Sequence, residues 1–167
     1  MLLLLACTKP DVEPIDSDPV VEDTGCDVGV GVGDCPADFA LIDQTGVEYV
    51  FSEHDPVVVS VSVMWDPTWQ DRVREVDDFY EAHPEIATFD VLVENLAGED
   101  PLGSDALLWS DSLGLSLTVL LADDDFRESW ADPGENGSYV VFVRGGVVTL
   151  KATSATADVQ SALEGEL

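Results

Sequence analysis

The stretch that decides the fold is residues 57–70, with the sequence VVVSVSVMWDPTWQ. Residues 57–64 form a nearly unbroken run of apolar or small side chains, which is typical of a central β-strand covered on both faces. An amphipathic helix is predicted over residues 67–82, because apolar side chains recur there at helical spacing between charged ones. The junction favours this start, since Asp66 can cap the free N–H groups and Pro67 fits the first helical turn.

The rest of the chain alternates between strand-like and helix-like patterns. Short apolar runs bounded by turn residues predict strands, and apolar residues at helical spacing predict helices. The pattern predicts strands over residues 47–51, 89–93 and 117–122, helices over residues 105–113, 126–131 and 155–163, and a hairpin of residues 139–143 and 147–150. Strands that alternate with helices and close with a hairpin and a helix predict an α/β fold, with a central mixed β-sheet flanked by helices.

Three motifs in this order resemble those of the redoxin and thioredoxin-like proteins of bacterial envelopes. Residues 36–46 (PADFALIDQTG) match the opening motif Pro-x-x-Phe-x-Leu-x-Asp-x-x-Gly, and residues 57–70 match a strand followed by Trp-x-Pro and a helix. The hairpin turn with Gly145 and Gly146 is the third motif. The resemblance spans about residues 35–165 and implies a thioredoxin-like fold for that part of the chain.

Active members of this family open the helix with Trp-Cys-x-x-Cys. The resemblance therefore implies thiol–disulfide exchange or peroxide reduction, with the first cysteine as the nucleophile. In this chain Trp65 is kept, but Asp66 and Trp69 stand at the two cysteine positions. A carboxylate cannot attack a disulfide in this way, and an indole cannot resolve a mixed disulfide.

Two further features of the family are missing. Peroxide-reducing members place a Thr and a Cys three residues apart on this helix, whereas Thr68 is followed three residues later by Asp71. The family also places a cis-proline just before the hairpin strand, and here Gly137 or Ser138 falls at that position. We therefore expect ordinary redox activity at this site to be lost.

The residues of the degenerate site have two interpretations each. Asp66 is either a structural cap of the helix or a carboxylate that binds a cation or a basic residue of a partner. In both cases it keeps a negative charge at the positive end of the helix dipole. Trp65 and Trp69 either form an aromatic patch on the former substrate face or pack in the core.

The chain has three cysteines, Cys7, Cys26 and Cys35. If Cys7 carries a lipid, the even remainder in an oxidising compartment predicts a disulfide between Cys26 and Cys35. Closing that loop would lower the conformational entropy of the unfolded chain and so stabilise the folded state by about 2.7 kcal/mol. A redox-active pair that replaces the missing sulfurs is one alternative, and metal-bound or free thiols are another. Asp27 and Asp34 oppose a reactive pair, because nearby negative charge disfavours a thiolate.

The N-terminal residues predict export and lipid anchoring. Residues 4–7 (LLAC) resemble the lipobox of bacterial lipoproteins, whose mature chain starts at the lipidated cysteine, here Cys7. Residues 1–7 are shorter than a signal peptide and lack its basic region, so we expect the signal to be truncated here and to extend further upstream. Residues 8–25, rich in Pro and acidic residues, predict a disordered tether that leads to a folded domain over residues 26–167 in the cell envelope.

Acidic residues dominate the charge, because 35 Asp and Glu against 6 Lys and Arg give a net charge of −29. Such a surface repels nucleic acid and anionic lipid headgroups, so neither is an expected partner and the membrane is reached only through the lipid on Cys7. No cofactor is indicated. The glycine-rich residues 29–33 do not fit a phosphate-binding loop, since no helix opens after them and aspartates flank them.

Metal binding is not predicted either. His54 and His83 have no partner at zinc-ligand spacing, and both are expected to be solvated surface residues. Residues 123–125 (DDD) supply clustered oxygens, but they lack the Gly and the distal Glu of a calcium loop. A solvated turn is therefore favoured over a calcium site.

Two functions from different classes follow from these observations. The favoured one is a redox-inactive thioredoxin-like domain, held on a membrane by a lipid anchor, that binds another envelope protein or a peptide. The alternative is a thiol–disulfide oxidoreductase or peroxide-reducing redoxin that uses Cys26 and Cys35. The chemistry of these two cysteines separates the two hypotheses.

Overall fold

A computed structural model describes residues 25–130 and 137–167 of the chain. The predicted lipidation site Cys7 and the predicted signal over residues 1–7 lie outside the described residues, as do residues 8–24 of the predicted tether. Within the described ranges, no helix is long and apolar enough to cross a membrane.

The described elements alternate in the predicted order. The strands are β1 Ala40–Asp43, β2 Glu48–Val50, β3 Val57–Val63, β4 Ala87–Glu94, β5 Thr118–Leu121, β6 Tyr139–Arg144 and β7 Val147–Thr153. The helices are α1 Pro67–Ala82, α2 Gly103–Leu113, α3 Asp124–Trp130 and α4 Val159–Glu164, with a short 3-10 turn at Phe51–Glu53.

The strands form one mixed seven-stranded sheet in the order β2-β1-β5-β4-β3-β6-β7. Strands β3, β4 and β5 run parallel, and β6 lies antiparallel to β3 on its other side. The predicted α/β class with a central mixed sheet flanked by helices is confirmed. All seven residues of β3 are buried, as its unbroken apolar and small side chains predict.

Helix α1 packs against the sheet through the apolar stripe that its spacing predicts. Trp69, Val73, Val76 and Phe79 are all fully buried. The helix is also joined to α4, because the Glu75 carboxylate accepts the backbone N–H of Val159 at 2.7 Å. The strand β3 and the helix α1 therefore form the rigid centre from which the candidate site projects.

Several element boundaries differ from the sequence prediction, and three of the differences have a clear local cause. Residues 40–43 belong to the opening motif and form strand β1, which the sequence did not predict as a strand. The predicted strand over residues 47–51 shortens to β2, because Phe51 begins a 3-10 turn. The last helix begins at Val159 rather than at residue 155, since the Asp158 carboxylate caps it by accepting the Ser161 N–H at 2.8 Å.

Candidate functional site

The site lies where strand β3 ends and helix α1 begins. Asp66 is the N-cap of α1, and its Oδ1 accepts the backbone N–H of Thr68 at 2.9 Å and the Thr68 hydroxyl at 2.6 Å. Pro67 occupies the first helical turn, where its missing N–H costs no hydrogen bond. At the position of the family's first cysteine, the chain therefore has a carboxylate engaged in holding the helix start.

Trp69, at the second cysteine position, packs in the core. Its side chain is fully buried, and its indole N–H donates to the hydroxyl of Ser62 at 2.8 Å. Trp65 instead remains 44% exposed. The alternative of an aromatic patch made by both indoles is therefore wrong, because one ring fills the interior and only the other faces solvent.

A buried polar network lies beneath Trp69, and the sequence did not predict it. The Ser62 hydroxyl donates to Oδ1 of Asp90 at 2.5 Å, and the indole N–H of Trp109 donates to Oδ2 at 2.7 Å. Ser60, the β3 residue paired with Asp90, lies 3.5 Å from the Ser62 hydroxyl. The network thus brings together side chains of β3, β4, α1 and α2 around one carboxyl group.

Burial raises the pKa of the Asp90 carboxyl above its usual range, and hydrogen bonds from Ser62, Ser60 and Trp109 offset this only partly. The negative charge of Asp77 on α1 raises the pKa of Asp90 further. The pKa of Asp77 is itself raised, mainly by burial, although its Oδ1 accepts the N–H groups of Ser116 and Leu117 at 2.8 Å. Asp77 on α1 and Asp90 on β4 therefore each keep a proton up to a higher pH than an exposed aspartate does.

Ser138 is one of the two residues, with Gly137, that the sequence places at the family's cis-proline position. Its hydroxyl accepts the backbone N–H of Val63, the last residue of β3, at 3.2 Å. The described cis peptide bond lies before the other end of β3, at Asp55–Pro56. Gly137 adopts a φ of +83°, and a Cβ there would lie 3.2 Å from the Val63 side chain. Gly137 and Ser138 thus both lie against Val63, at the end of β3.

Cys26 and Cys35 form a disulfide, with their Cα atoms 5.7 Å apart. The loop that they close pairs with the hairpin, because Gly33 N–H donates to the Val148 carbonyl and Val148 N–H donates to the Asp34 carbonyl, both at 2.9 Å. Val148 pairs with Val143.

This disulfide lies at the far end of the sheet from Asp66. Val143 pairs with Val57, the first residue of β3, whereas Asp66 follows the last residue of the same strand. A strand of this length places the two ends roughly 20 Å apart. The two cysteines therefore do not substitute in place for the missing sulfurs.

The glycines of this loop surround the carboxylate of Asp34. Its Oδ2 accepts the backbone N–H of Gly31 at 2.8 Å. A Cβ at Gly29 or Gly31 would lie 2.5 or 2.9 Å from the same oxygen, so a side chain at either position would displace the Asp34 carboxylate. The glycine pattern therefore serves an internal carboxylate, which the sequence did not predict.

Both histidines differ from the prediction that they are solvated. The ring of His54 packs against Phe89 at 5.3 Å between centroids, and the ring of His83 packs against Phe79 at 4.8 Å. Both side chains are half-buried, because aromatic neighbours on the sheet and on α1 cover one face of each ring.

Among residues 25–130 and 137–167, no group of three His, Cys, Asp or Glu side chains could hold a metal ion. Within the acidic run at residues 123–125, Oδ1 of Asp123 accepts the backbone N–H of Phe126 at 2.8 Å. That carboxylate thus bonds to the first turn of α3.

No protein-family model matches the chain, and no curated protein matches it. Solved structures do. A proposed protein disulfide isomerase of Bacteroides thetaiotaomicron is 14% identical, with a TM-score of 0.71 over 82% of this chain and 87% of the other. A secreted disulfide oxidoreductase of Mycobacterium tuberculosis is 16% identical, with a TM-score of 0.59 over 76% and 92%. An exposed lipoprotein thioredoxin of Streptococcus pneumoniae is 17% identical, with a TM-score of 0.60 over 78% and 100%.

These similarities confirm the thioredoxin-like fold predicted from the three motifs. At such low identity they establish the fold alone, since one fold carries many activities.

Proposed function

We propose that this chain is a redox-inactive thioredoxin-like domain that binds another envelope protein or a peptide at the start of α1. The observation that carries the proposal is the burial of Trp69 at the second cysteine position, where its indole N–H is bonded to Ser62. A buried indole leaves no space for a substrate sulfur to approach from this side. The site is therefore closed to exchange chemistry.

The chemistry around the helix start supports the same conclusion. Asp66 has no reactive sulfur, and its Oδ1 accepts both hydrogen bonds from Thr68. Among the described residues, the sulfur nearest in sequence belongs to Met64, which is buried and has a thioether rather than a thiol. Thiol–disulfide exchange needs a thiolate, and this site cannot form one.

A binding role is supported by the part of the site that remains open. Trp65 is 44% exposed next to Asp66. Tryptophan side chains usually bury a large apolar area in a folded protein, so this exposure is unusual. Exposed aromatic residues at a rigid edge are common at protein interfaces. Loss of the sulfurs removes the reaction but leaves this surface in place.

The proposed location is the cell envelope, with a lipid on Cys7. Three observations support it: the lipobox-like residues 4–7, the acidic tether sequence and the Cys26–Cys35 disulfide, which persists in oxidising compartments. Two of the similar solved structures are described as a secreted protein and an exposed lipoprotein. Incorporation of labelled fatty acid into the full-length protein, lost in Cys7→Ser, would test the anchor.

The alternative is an oxidoreductase that uses Cys26 and Cys35. Its specific support is that both cysteines are half-buried rather than sealed in the core, and that similar solved structures are described as oxidoreductases. Against it, Asp34 lies inside the same loop and Asp27 follows Cys26 directly, so the surroundings disfavour a thiolate.

The reduction potential of the Cys26–Cys35 pair decides between the two. A value below roughly −300 mV would mark a structural bridge and support the redox-inactive domain. A value between about −120 and −270 mV, together with disulfide-reductase turnover that Cys26→Ser/Cys35→Ser abolishes, would contradict it.

Binding is tested separately with proteins extracted from the envelope of the source cells. We expect Trp65→Leu to abolish retention of a specific partner. Leu108→Ala, which truncates a similarly exposed apolar side chain on α2, should leave retention intact. Retention that is the same in both variants would contradict a binding site at the start of α1.

A further inference from the structure

Trp65 differs from the other tryptophans of the described chain. Trp69, Trp109 and Trp130 are at most 1% exposed, whereas Trp65 is 44% exposed. Its indole N–H donates to Oε2 of Glu94 at 2.5 Å, so the polar edge of the ring is satisfied and the ring is held across the ends of β3 and β4. Exposed surface of Trp65 therefore remains beside a carboxylate.

The backbone around this pair is well fixed. The N–H of Met64 donates to the Glu94 carbonyl at 3.0 Å, so β3 and β4 are still joined at the residue before Trp65. After Glu94, the side chain of Asn95 accepts the N–H groups of Ala97 at 2.9 Å and Glu99 at 3.1 Å. Trp65 and Glu94 therefore keep their relative position without a ligand.

The carboxylate of Glu94 has no cation partner among the described residues. The arginine of this sheet edge, Arg127, donates to the carbonyls of Val93 at 3.3 Å and Ala122 at 3.0 Å. Its ion pairs are with Asp100 and Asp124, each at 3.2 Å. Within the described ranges, Oε1 of Glu94 accepts no hydrogen bond.

An exposed tryptophan next to a carboxylate oxygen without a hydrogen bond matches the chemistry of a guanidinium group. Arginine stacks on aromatic faces and donates to carboxylates in one planar arrangement, which lysine cannot do. Leu96, two residues beyond Glu94, is 63% exposed and offers apolar surface for a neighbouring side chain. The strongly negative net charge would attract such a group from a distance.

We propose that Trp65 and Glu94 form a subsite for an arginine side chain of a peptide or protein partner. This inference rests on the proposed binding function and names the chemistry of its ligand. The guanidinium stacks on the Trp65 ring and donates to Oε1 of Glu94. The acidic surroundings exclude a carboxylate or phosphate at the same place.

The test is a titration of the full chain with the peptide acetyl-Gly-Leu-Arg-Leu-Gly-amide, followed through the indole N–H resonance of Trp65. A second peptide carries citrulline in place of Arg, which keeps the shape and removes the charge. We expect the arginine peptide to bind and the citrulline peptide to bind at least about threefold more weakly. Equal binding of the two peptides, or no binding of either, would overturn the subsite.

Variants separate the subsite from the general acidic field. Trp65→Leu and Glu94→Gln should each weaken binding of the arginine peptide by about threefold or more, and Trp65→Phe should keep most of it. Asp111→Asn removes the same charge as Glu94→Gln from an exposed position on α2 and should leave affinity unchanged. If Asp111→Asn weakens binding as much as Glu94→Gln, the attraction is diffuse and the proposal is wrong.

The result is independent of the redox measurement. A potential in the range of exchange catalysts would contradict the redox-inactive function while leaving the peptide titration interpretable. Loss of peptide discrimination with a structural Cys26–Cys35 bridge would overturn the arginine subsite alone.

Discussion

Trp69 and Asp90 are linked through a single hydroxyl group, that of Ser62, which accepts from the indole and donates to the carboxylate. Trp69→Phe keeps most of the ring volume but leaves Ser62 without its donor, and we expect a loss of about 1–3 kcal/mol in the free energy of unfolding. Trp69→Ala also opens a cavity and should cost about 3–5 kcal/mol. Urea unfolding monitored by circular dichroism measures both.

The control for this series is Trp65→Phe, because Trp65 is exposed and its hydrogen bond to Glu94 lies at the surface. That change should alter stability by no more than about 0.5 kcal/mol. A Trp69→Ala protein as stable as the Trp65→Phe protein would show that Trp69 does not fill the core as the structure places it.

Asp90 gives a prediction for the pH dependence of stability. Its raised pKa means that the folded chain binds this proton more tightly than the unfolded chain does. The resulting stabilisation is complete below the ordinary value of 3.8 and is lost as the pH rises through the higher folded value. Asp90→Asn cannot ionise, so at pH 7 it should be more stable than the unchanged protein, on the order of 1 kcal/mol.

Asparagine fits the network geometrically. Its amide can donate to the Ser62 oxygen and its carbonyl can accept from Trp109, while the Ser62 hydroxyl turns to Ser60, 3.5 Å away. Unfolding free energies of the two proteins from pH 7 down to pH 4 should converge as the pH falls. A difference that stays constant over this range would mean that Asp90 does not change its ionisation there.

The residues of the former active-site positions were identified from the sequence, but their surroundings were not. Asp66 at the helix start follows from local capping rules. Asp90 lies inside a strand pattern, and its partners Ser62, Trp69 and Trp109 belong to three other elements. An acidic residue within an apolar strand, with two serines in the neighbouring strand, was the available signal. Only the parallel pairing of β3 with β4 brings these groups together.

At the level of elements, the disulfide-closed loop fastens the beginning of the domain to the edge strand β7. Replacing both cysteines, Cys26→Ser/Cys35→Ser, should lower the free energy of unfolding by about 2–3 kcal/mol, since the loop is no longer closed in the unfolded chain. The amide of Val148, which bonds to the Asp34 carbonyl, should also exchange with solvent faster. Denaturant unfolding and hydrogen exchange measure the two effects.

The amide of Val141 serves as the internal control, because it lies in β6 between β3 and β7. Its protection should change only as much as global stability does, whereas that of Val148 should fall further. Equal changes at both amides would show that the loop does not protect the edge strand independently.

Strands and helices with a strong apolar pattern were predictable from the sequence. Elements whose bounds depend on contacts with other parts of the chain were not. The run that forms β3 and the spacing that forms α1 carry their own signal. Strand β1 has only four residues, half of them exposed, and becomes a strand because β2 and β5 supply its hydrogen bonds. The start of α4 depends on the cap at Asp158, which the apolar pattern does not mark.

At the scale of the whole molecule, the excess of negative charge lowers the stability of the folded state. Each described arginine or lysine contacts an acidic or aromatic group: Arg72 pairs with Glu75, Arg74 with Asp71 and Arg127 with Asp100 and Asp124, while Arg144 and Lys151 lie over aromatic rings. With 35 acidic and 6 basic residues in the sequence, the negative charges far outnumber the positive ones. Mutual repulsion among the carboxylates destabilises the compact state.

Salt should therefore stabilise this protein. Raising NaCl from 0.1 to 1 M shortens the screening length from about 10 to 3 Å, and we expect Tm to rise by about 5 °C or more.

The matched variant replaces Glu48, Glu53, Asp111 and Glu128 with lysine. All four are exposed, and none has a side-chain hydrogen bond or ion pair in the described residues. Each change adds two units of charge, so the net charge moves from −29 to −21. This variant should be more stable at low salt and should gain less from added NaCl. Stabilisation by screening must be smaller in the variant, because its surface carries less negative charge. An equal rise of Tm in both proteins would therefore contradict the prediction and indicate a general effect of salt on apolar burial.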